Sequence, residues 1–224
     1  LGDGTQGDIL YYGASGAPTR LGFGTSGDFL KTQGTGANPA WATAGGTTLI
    51  ARASSLVAVS SISVDDCFSD TYDYYKIYMF LNAEDDEGEL RFRWRKASTD
   101  RTDSYYINVG YAGQVSSSAN SGYVKNNQWN ADHFLLLNNM NENDNMGAIV
   151  ELTIYDPRAR DEGNLASMQY SCSNYRDDNI WVNVNGGAMY GNQASGDDFD
   201  GFTIYFDNSD IKYYDYAIYG FNKT

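Results

Sequence analysis

The chain has 224 residues, of which 15 are basic and 29 acidic, so its formal net charge is −14 at pH 7. A chain this acidic has no basic surface to neutralise phosphates, which excludes nucleic acid as a partner. No apolar run reaches the length of a transmembrane helix, so we expect no membrane insertion.

The composition changes at Ala44-Gly45-Gly46-Thr47, a hinge of small residues. Residues 1–46 hold 12 of the 24 glycines and carry a net charge of −1, whereas residues 47–224 carry −13. This division predicts a Gly-rich stalk or docking segment over residues 1–46 and a separate head domain over residues 47–224.

The first segment contains an internal repeat. Gly4-Thr5-Gln6-Gly7-Asp8-Ile9-Leu10 returns 20 residues later as Gly24-Thr25-Ser26-Gly27-Asp28-Phe29-Leu30, with five of the seven positions identical. Repeat units bury their apolar faces against neighbours, and about three are needed for a self-supporting array. We therefore expect this segment to take its core from other copies of the chain. The residues expected to make that contact are Ile9, Leu10, Tyr11, Tyr12, Leu21, Phe29, Leu30 and Trp41.

Apolar and polar residues alternate with a period of two along much of residues 47–224, which predicts about eight to ten short strands. The clearest apolar sets are Tyr75, Ile77, Met79 and Leu81; Leu90, Phe92 and Trp94; Val150, Leu152 and Ile154; Ile180, Val182 and Val184; and Phe202, Ile204 and Phe206. No segment carries a convincing helical stripe, and the stretch Trp129–Met140 comes nearest. The pattern predicts an all-β, jelly-roll-like antiparallel sandwich.

The chain has only two cysteines, Cys67 and Cys172, and neither lies in a CxxC pair. They form either one disulfide or two separate buried thiols. No metal cage is expected from them, and we expect no cofactor.

Aromatic residues beside polar turns are the best candidates for ligand binding, because sugar rings stack on Trp and Tyr faces. The candidates are Trp129, Trp181, Tyr190, Tyr213 and Tyr214. For each of them, packing inside the sandwich or at a subunit contact is the alternative.

Arg91, Arg93 and Arg95 occupy one face of a predicted strand. Such a stripe suits an anionic sugar or the carboxylates of a neighbouring subunit. Pairing with Asp and Glu of the same chain is the alternative.

Catalysis is not expected. The only histidine, His133, has no nucleophile-elbow sequence to serve, and we interpret it as a polar residue at a strand edge. The adjacent pairs Asp65-Asp66, Asp85-Asp86, Asp177-Asp178 and Asp197-Asp198 are poor glycosidase dyads, because neighbours on a strand point to opposite faces. The acidic stretches Asn141–Asn145 and Asp197–Asp200 do not fit the EF-hand spacing, so no metal site is expected.

Four short motifs follow one another within residues 2–42. They are Gly7-Asp8-Ile9-Leu10-Tyr11-Tyr12, Pro18-Thr19-Arg20-Leu21, Gly24-Thr25-Ser26-Gly27-Asp28-Phe29-Leu30 and Asn38-Pro39-Ala40-Trp41. This series resembles a module of bacteriophage fibre proteins. The second region is similar to the β-rich domain that follows this module in marine phage proteins. Its looser cues are Phe68-x3-Tyr72-x2-Tyr75-Lys76-Ile77, Gly201-Phe202-Thr203-Ile204 and Tyr219-Gly220-Phe221.

The resemblance implies a homotrimeric structural protein of the virion without catalytic activity. Its expected partners are further copies of itself, other phage virion proteins of the tail or capsid, and a glycan on the host surface. We therefore expect a tail fibre whose head binds a host receptor, with a capsid-decorating fibre as the alternative. The alternatives of other classes are a small polysaccharide depolymerase and a lectin-like secreted module.

Overall fold

The computed structural model describes residues 2–43, 46–84, 88–116, 120–125, 127–140, 147–158, 165–175, 180–191 and 198–222. Its contacts divide the chain into two compact units, Leu1–Thr47 and Thr48–Thr224.

The first unit consists of two antiparallel hairpins. β1 (Ile9–Tyr12) pairs with β2 (Pro18–Leu21), and β3 (Asp28–Lys31) pairs with β4 (Ala40–Thr43). A short 3₁₀ turn at Ala14–Gly16 lies between β1 and β2. Each copy of the sequence repeat therefore leads into one hairpin.

Both copies of the repeat form the same turn, over Thr5–Asp8 and Thr25–Asp28. In each turn the Asp backbone N–H donates to the Thr carbonyl, at 3.1 and 2.9 Å, and the Asp carboxylate accepts from the Thr backbone N–H at 2.8 Å. The third residue of each turn is a glycine with a φ of 96° and 95°, a conformation that side chains disfavour. The two copies of the sequence repeat thus form the same backbone turn.

The first unit has no buried residue among those described. Leu10 and Phe23 are both 63% exposed, and no side chain of residues 2–42 reaches the buried class. Trp41 is half-buried, donates through Nε1 to the Gly22 carbonyl, and lies so close to Gly24 that a Cβ there would meet its ring at 2.8 Å. Backbone turns, rather than an apolar core, define this unit.

The second unit is built from fourteen strands in the described residues. They are β5 (Thr47–Ser55), β6 (Ile62–Val64), β7 (Tyr72–Ala83), β8 (Gly88–Lys96), β9 (Thr99–Asp100), β10 (Tyr106–Ser116), β11 (Asn120–Lys125), β12 (Gln128–Ala131), β13 (Phe134–Met140), β14 (Ala148–Tyr155), β15 (Ser167–Tyr175), β16 (Ile180–Tyr190), β17 (Gly201–Phe206) and β18 (Ile211–Asn222).

These strands form two sheets. The nine-stranded sheet has the order β11-β10-β16-β15-β14-β7-β18-β5, with β12 also paired to β10, and the five-stranded sheet has the order β13-β8-β17-β6, with β9 paired to β8. The predicted all-β antiparallel sandwich is confirmed. The stretch Trp129–Met140, which came nearest to a helical pattern, instead supplies strands β12 and β13.

The core between the sheets is largely aromatic. Trp94 stacks on Phe199 with ring centroids 5.2 Å apart, and Phe92 stacks on Phe202 at 5.4 Å. All four of these side chains are fully buried. Rings of this size contribute most of the apolar area that drives the two sheets together.

Two polar side chains on the inner face of β10 reach across to the other sheet. The hydroxyl of Tyr106 accepts from the Trp94 backbone N–H at 3.0 Å and donates to the Arg101 carbonyl at 2.8 Å. The amide of Asn108 donates to the Leu135 carbonyl at 3.3 Å. Because a buried polar group without a partner costs about 1–3 kcal/mol, these bonds fix how β10 lies against β8 and β13.

Cys67 and Cys172 are free and buried, so the separate-thiol alternative describes this structure. Burial raises the pKa of both thiols well above the usual value, which keeps them protonated and unreactive near neutral pH.

The hairpin between β8 and β9 makes a testable prediction. Its two loop residues, Ala97 and Ser98, have φ angles of 47° and 60°, the left-handed region that Gly and Asn prefer in two-residue hairpins. Ser98→Gly should therefore be more stable than Ser98→Ala by about 1 kcal/mol, since both lose the hydroxyl and only glycine relieves the strain. Urea denaturation of the two variants measures the difference, and equal midpoints would contradict the assigned backbone strain.

Candidate functional site

The outer face of the nine-stranded sheet carries a depression over its central strands. Its outward residues follow from the register, because residues that alternate with the buried positions must point away from the core. One row across the sheet runs from Tyr78 on β7 through Glu151, Ser171 and Asn185 to Tyr111 on β10.

We call the depression in the middle of this face the central trough. It has a volume of about 560 Å³, and its outward-facing lining consists of Lys76, Glu151, Thr153, Gln169, Ser171, Asn185 and Gly187. The trough exists because β15 and β16 place small or absent side chains between longer ones. Gly187 is exposed, and an added Cβ would come no closer than 3.9 Å to any neighbour.

The polar groups of the central trough are available to a ligand. The side chains of Thr153, Gln169 and Ser171 have no hydrogen-bond partner among the described residues. The two charged groups neutralise each other, since Lys76 Nζ lies 3.5 Å from Glu151 Oε1. The lining therefore offers uncharged donors and acceptors beside one compensated ion pair.

Exposed tyrosine rings bracket the central trough on both sides. Tyr78 is 43% exposed and Tyr111 is 60% exposed. Four strand spacings separate them, which places them about 19 Å apart. A polar floor between aromatic walls suits a sugar, whose hydroxyls need hydrogen bonds and whose ring faces stack on aromatic side chains.

The aromatic residues predicted to bind ligand are dispersed. Trp129 lies on the edge strand β12 and is 74% exposed, whereas Trp181 projects from the outer face of β16 beside Tyr175. Tyr213 lies on the outer face of β18 and meets Phe80 edge to face, with ring centroids 5.7 Å apart. None of the three predicted residues lines the central trough.

Two of the predicted tyrosines point toward the core. Tyr214 stacks on Tyr216 and packs against the buried cluster. The prediction that Tyr190 contacts ligand is wrong, because its ring is fully buried between Tyr106 and Phe199 and its hydroxyl bonds to Asp103 at 3.1 Å. Burial raises the pKa of Tyr190 to about 12.

The arginine stripe lies on the outer face of the five-stranded sheet, and all three arginines have partners in the same chain. The ion pairs are Arg91 with Glu89 and Asp207, Arg93 with Asp132, and Arg95 with Asp65 and Asp100. Arg93 also lies over the ring of Tyr205, 5.0 Å from its centroid. The intrachain alternative thus describes this stripe, which offers no unpaired cation to an anionic ligand.

His133 belongs to a structural network beside the stripe. Gln128 Oε1 accepts from the Leu135 backbone N–H at 2.9 Å, so its Nε2 faces His133 Nε2 at 3.1 Å and donates to it. His133 Nδ1 then carries the proton and donates to Asp132 at 2.6 Å. Burial lowers the pKa of His133, and the nearby Arg91 and Arg93 lower it further, so the ring is neutral near pH 7.

Within the described ranges, no three His, Cys, Asp or Glu side chains cluster in a way that would hold a metal ion. Asp65, from the first of the adjacent pairs, bonds to Arg95 at 2.7 Å. The stretches Asn141–Asn145, Asp85-Asp86, Asp177-Asp178 and Asp197 lie outside the described residues. None of the helical structure that is described is long and apolar enough to cross a membrane.

These features define an antiparallel β-sandwich whose nine-stranded sheet carries a polar depression between exposed tyrosines. The chain matches no family model and no curated protein. It aligns with a chain in the structure of infectious bursal disease virus Gt strain at 10% identity and a TM-score of 0.13, covering 96% of this chain and 51% of that one. The chain thus spans about half the length of its structural match, and a likeness this weak carries no argument.

The two adjacent glycines of β16 face opposite sides of the sheet, so we expect their substitution by alanine to affect stability differently. Gly186 faces the core, where a Cβ would lie 2.3 Å from the ring of Tyr170 and 2.6 Å from the Val109 carbonyl, whereas Gly187 faces outward. Gly186→Ala should lower the free energy of unfolding by about 1–3 kcal/mol through overpacking. Gly187→Ala is the matched control and should leave it within about 0.5 kcal/mol of wild type. Chemical denaturation tests both, and equal losses would refute the assigned facing of the strand.

The single histidine gives a pH prediction. Because the folded pKa of His133 is lowered from 6.5, the unfolded chain binds the proton more readily, so stability is complete above about pH 6.5 and falls as the pH drops below it. The slope from one group is at most about 1.4 kcal/mol per pH unit. The pKa of Asp132 is also lowered, so that carboxyl titrates at more acidic pH. Urea unfolding between pH 7 and pH 5 should show this slope in wild type and a flatter line in His133→Gln; parallel lines would contradict the network.

Proposed function

We propose that this chain is a structural fibre protein of a bacteriophage virion. In this proposal the first unit joins three copies into a homotrimer, and the sandwich domain binds a glycan on the host surface. The observation that carries the proposal is that no described side chain of residues 2–42 is buried, although the segment forms regular turns and hairpins. The resemblance of these residues to the phage fibre module supports the same function.

Association of the first unit is supported by the apolar side chains that it leaves in solvent. Tyr12 is 79% exposed, Leu10 63%, Leu30 47% and Phe29 44%. Leu10 and Tyr12 alternate along β1 with the half-buried Ile9 and Tyr11, whereas Phe29 and Leu30 are neighbours on β3 and are both exposed. Covering these side chains with equivalent ones from other copies removes apolar surface from water, which favours association.

Glycan binding by the sandwich domain is supported by the central trough and its flanking tyrosines. A depolymerase would need two carboxyl groups facing each other about 5–10 Å apart across the ligand. Among the described residues that line the central trough, Glu151 is the one carboxylate, and it is paired with Lys76. We therefore propose binding without hydrolysis. A decorating fibre on the capsid is the alternative location, and electron microscopy of gold-labelled virions distinguishes tail from capsid.

The assembly part of the proposal is tested by a triple variant, Leu10→Ser with Phe29→Ser and Leu30→Ser. We expect the wild-type chain to be a trimer and the variant a monomer, because exposed apolar side chains of both hairpins are removed. The control, Leu56→Ser with Val57→Ser, removes two side chains of the second unit that are 84% and 72% exposed, and it should stay trimeric. Light scattering measures the mass of each, and a monomeric wild type would overturn this assembly.

A further inference from the structure

Two smaller depressions lie on the same face as the central trough, one on each side. The first has a volume of about 370 Å³ and lies over β18, β7 and β14, between Tyr78, Phe80, Ile149 and Tyr219. The second has a volume of about 290 Å³ and lies over β14, β15, β16 and β10, beside Tyr155 and Met189.

The three depressions form one diagonal line across the strands. The central trough shares Gln169 and Gly187 with the smaller depression toward β10. On the other side, Glu151 of the central trough is the cross-strand neighbour of Tyr78, which lines the depression toward β18. From β18 to β10 the line crosses five strand spacings, or about 24 Å. A single sugar ring is too short to occupy it.

The charges along this line are compensated. Lys76 pairs with Glu151 at 3.5 Å, and Arg52 pairs with Asp215 at 3.4 Å at the end of the line near β18. Neither pair leaves a surplus cation for a sulfate or a uronic acid, and the net charge of −14 on the chain repels such groups. The lining therefore favours an uncharged ligand.

We propose that the ligand of the sandwich domain is an uncharged linear polysaccharide that lies diagonally across the nine-stranded sheet and occupies all three depressions. This inference rests on the proposed glycan-binding function and adds its site, ligand charge and length. An extended peptide fits less well, because a sheet face presents side chains and a peptide finds its backbone hydrogen-bond partners at a sheet edge. A second copy of the chain is the remaining alternative occupant, and light scattering of the variants below distinguishes it.

The test uses the full chain on an array of uncharged hexose and N-acetylhexosamine oligomers from dimers to octamers, beside uronic-acid and sialylated chains. Binding of any hit is then followed by calorimetry. Affinity for an uncharged chain should rise by about tenfold or more from dimer to hexamer, as successive depressions are filled. Charged chains of equal length should bind more weakly.

Two matched variants locate the site. Gly187→Trp places a ring where the central trough meets the depression toward β10, and it should weaken hexamer binding by about tenfold or more. Gly113→Trp adds the same ring on the same face, where a Cβ meets nothing within 4 Å. Gly113 lines none of the three depressions, so this variant should bind as wild type does.

The outcomes separate this inference from the proposed function. Binding that is independent of oligomer length, or that is lost in Trp129→Ala but kept in Gly187→Trp, would overturn the diagonal groove and leave glycan binding standing. If Gly187→Trp changes the mass of the protein in light scattering but leaves glycan binding unchanged, the face is an interface between copies and the inference is wrong. If wild type binds no glycan on the array, both the inference and the glycan-binding function fail.

Discussion

The packing of aromatic rings between the two sheets is the constraint on which the rest of the second unit depends. Trp94 lies on Phe199 and Phe92 on Phe202, and the hydroxyl of Tyr106 ties β10 to the backbone of β8. Because side chains alternate along a strand, fixing which residues face inward also fixes every residue that faces outward. The core packing therefore decides which residues of each strand form the outer face.

The central trough shows how this constraint produces a surface. Gly186 has no side chain, which leaves room for the Tyr170 ring to pack against it. Gly187, one residue later, leaves the opposite face of the sheet open. The small outward residues of β15, such as Ser171, extend that opening along the neighbouring strand. The depression on the outer face and the packing of the core thus depend on adjacent residues of one strand. We expect substitution of the inward Gly186 to cost more stability than substitution of the outward Gly187.

The two units contrast in how they are stabilised. The second encloses a continuous buried cluster from Ile62 to Ile218, whereas the described residues of the first are held by turns in which Asp8 and Asp28 cap the preceding threonines. Hydrogen-bonded turns specify local geometry but bury little apolar surface, and apolar burial is the dominant favourable term in folding. The proposed roles rest on this contrast: we propose that the first unit serves assembly and the second serves recognition.

The sequence by itself determined the all-β class and the inward sets such as Leu90, Phe92 and Trp94, because each depends on residues close together in the chain. The strand β15 (Ser167–Tyr175) and its small outward residues were not among the predicted alternating sets, and nothing in the chain order revealed that β16 and β14 flank that strand. Only the tertiary structure decided that Tyr190 is buried, that the arginine stripe is paired with Asp65, Asp132 and Asp207, and that a trough opens over Gly187. These properties depend on which strands become neighbours, and strand pairing joins residues far apart in sequence that no local period can specify.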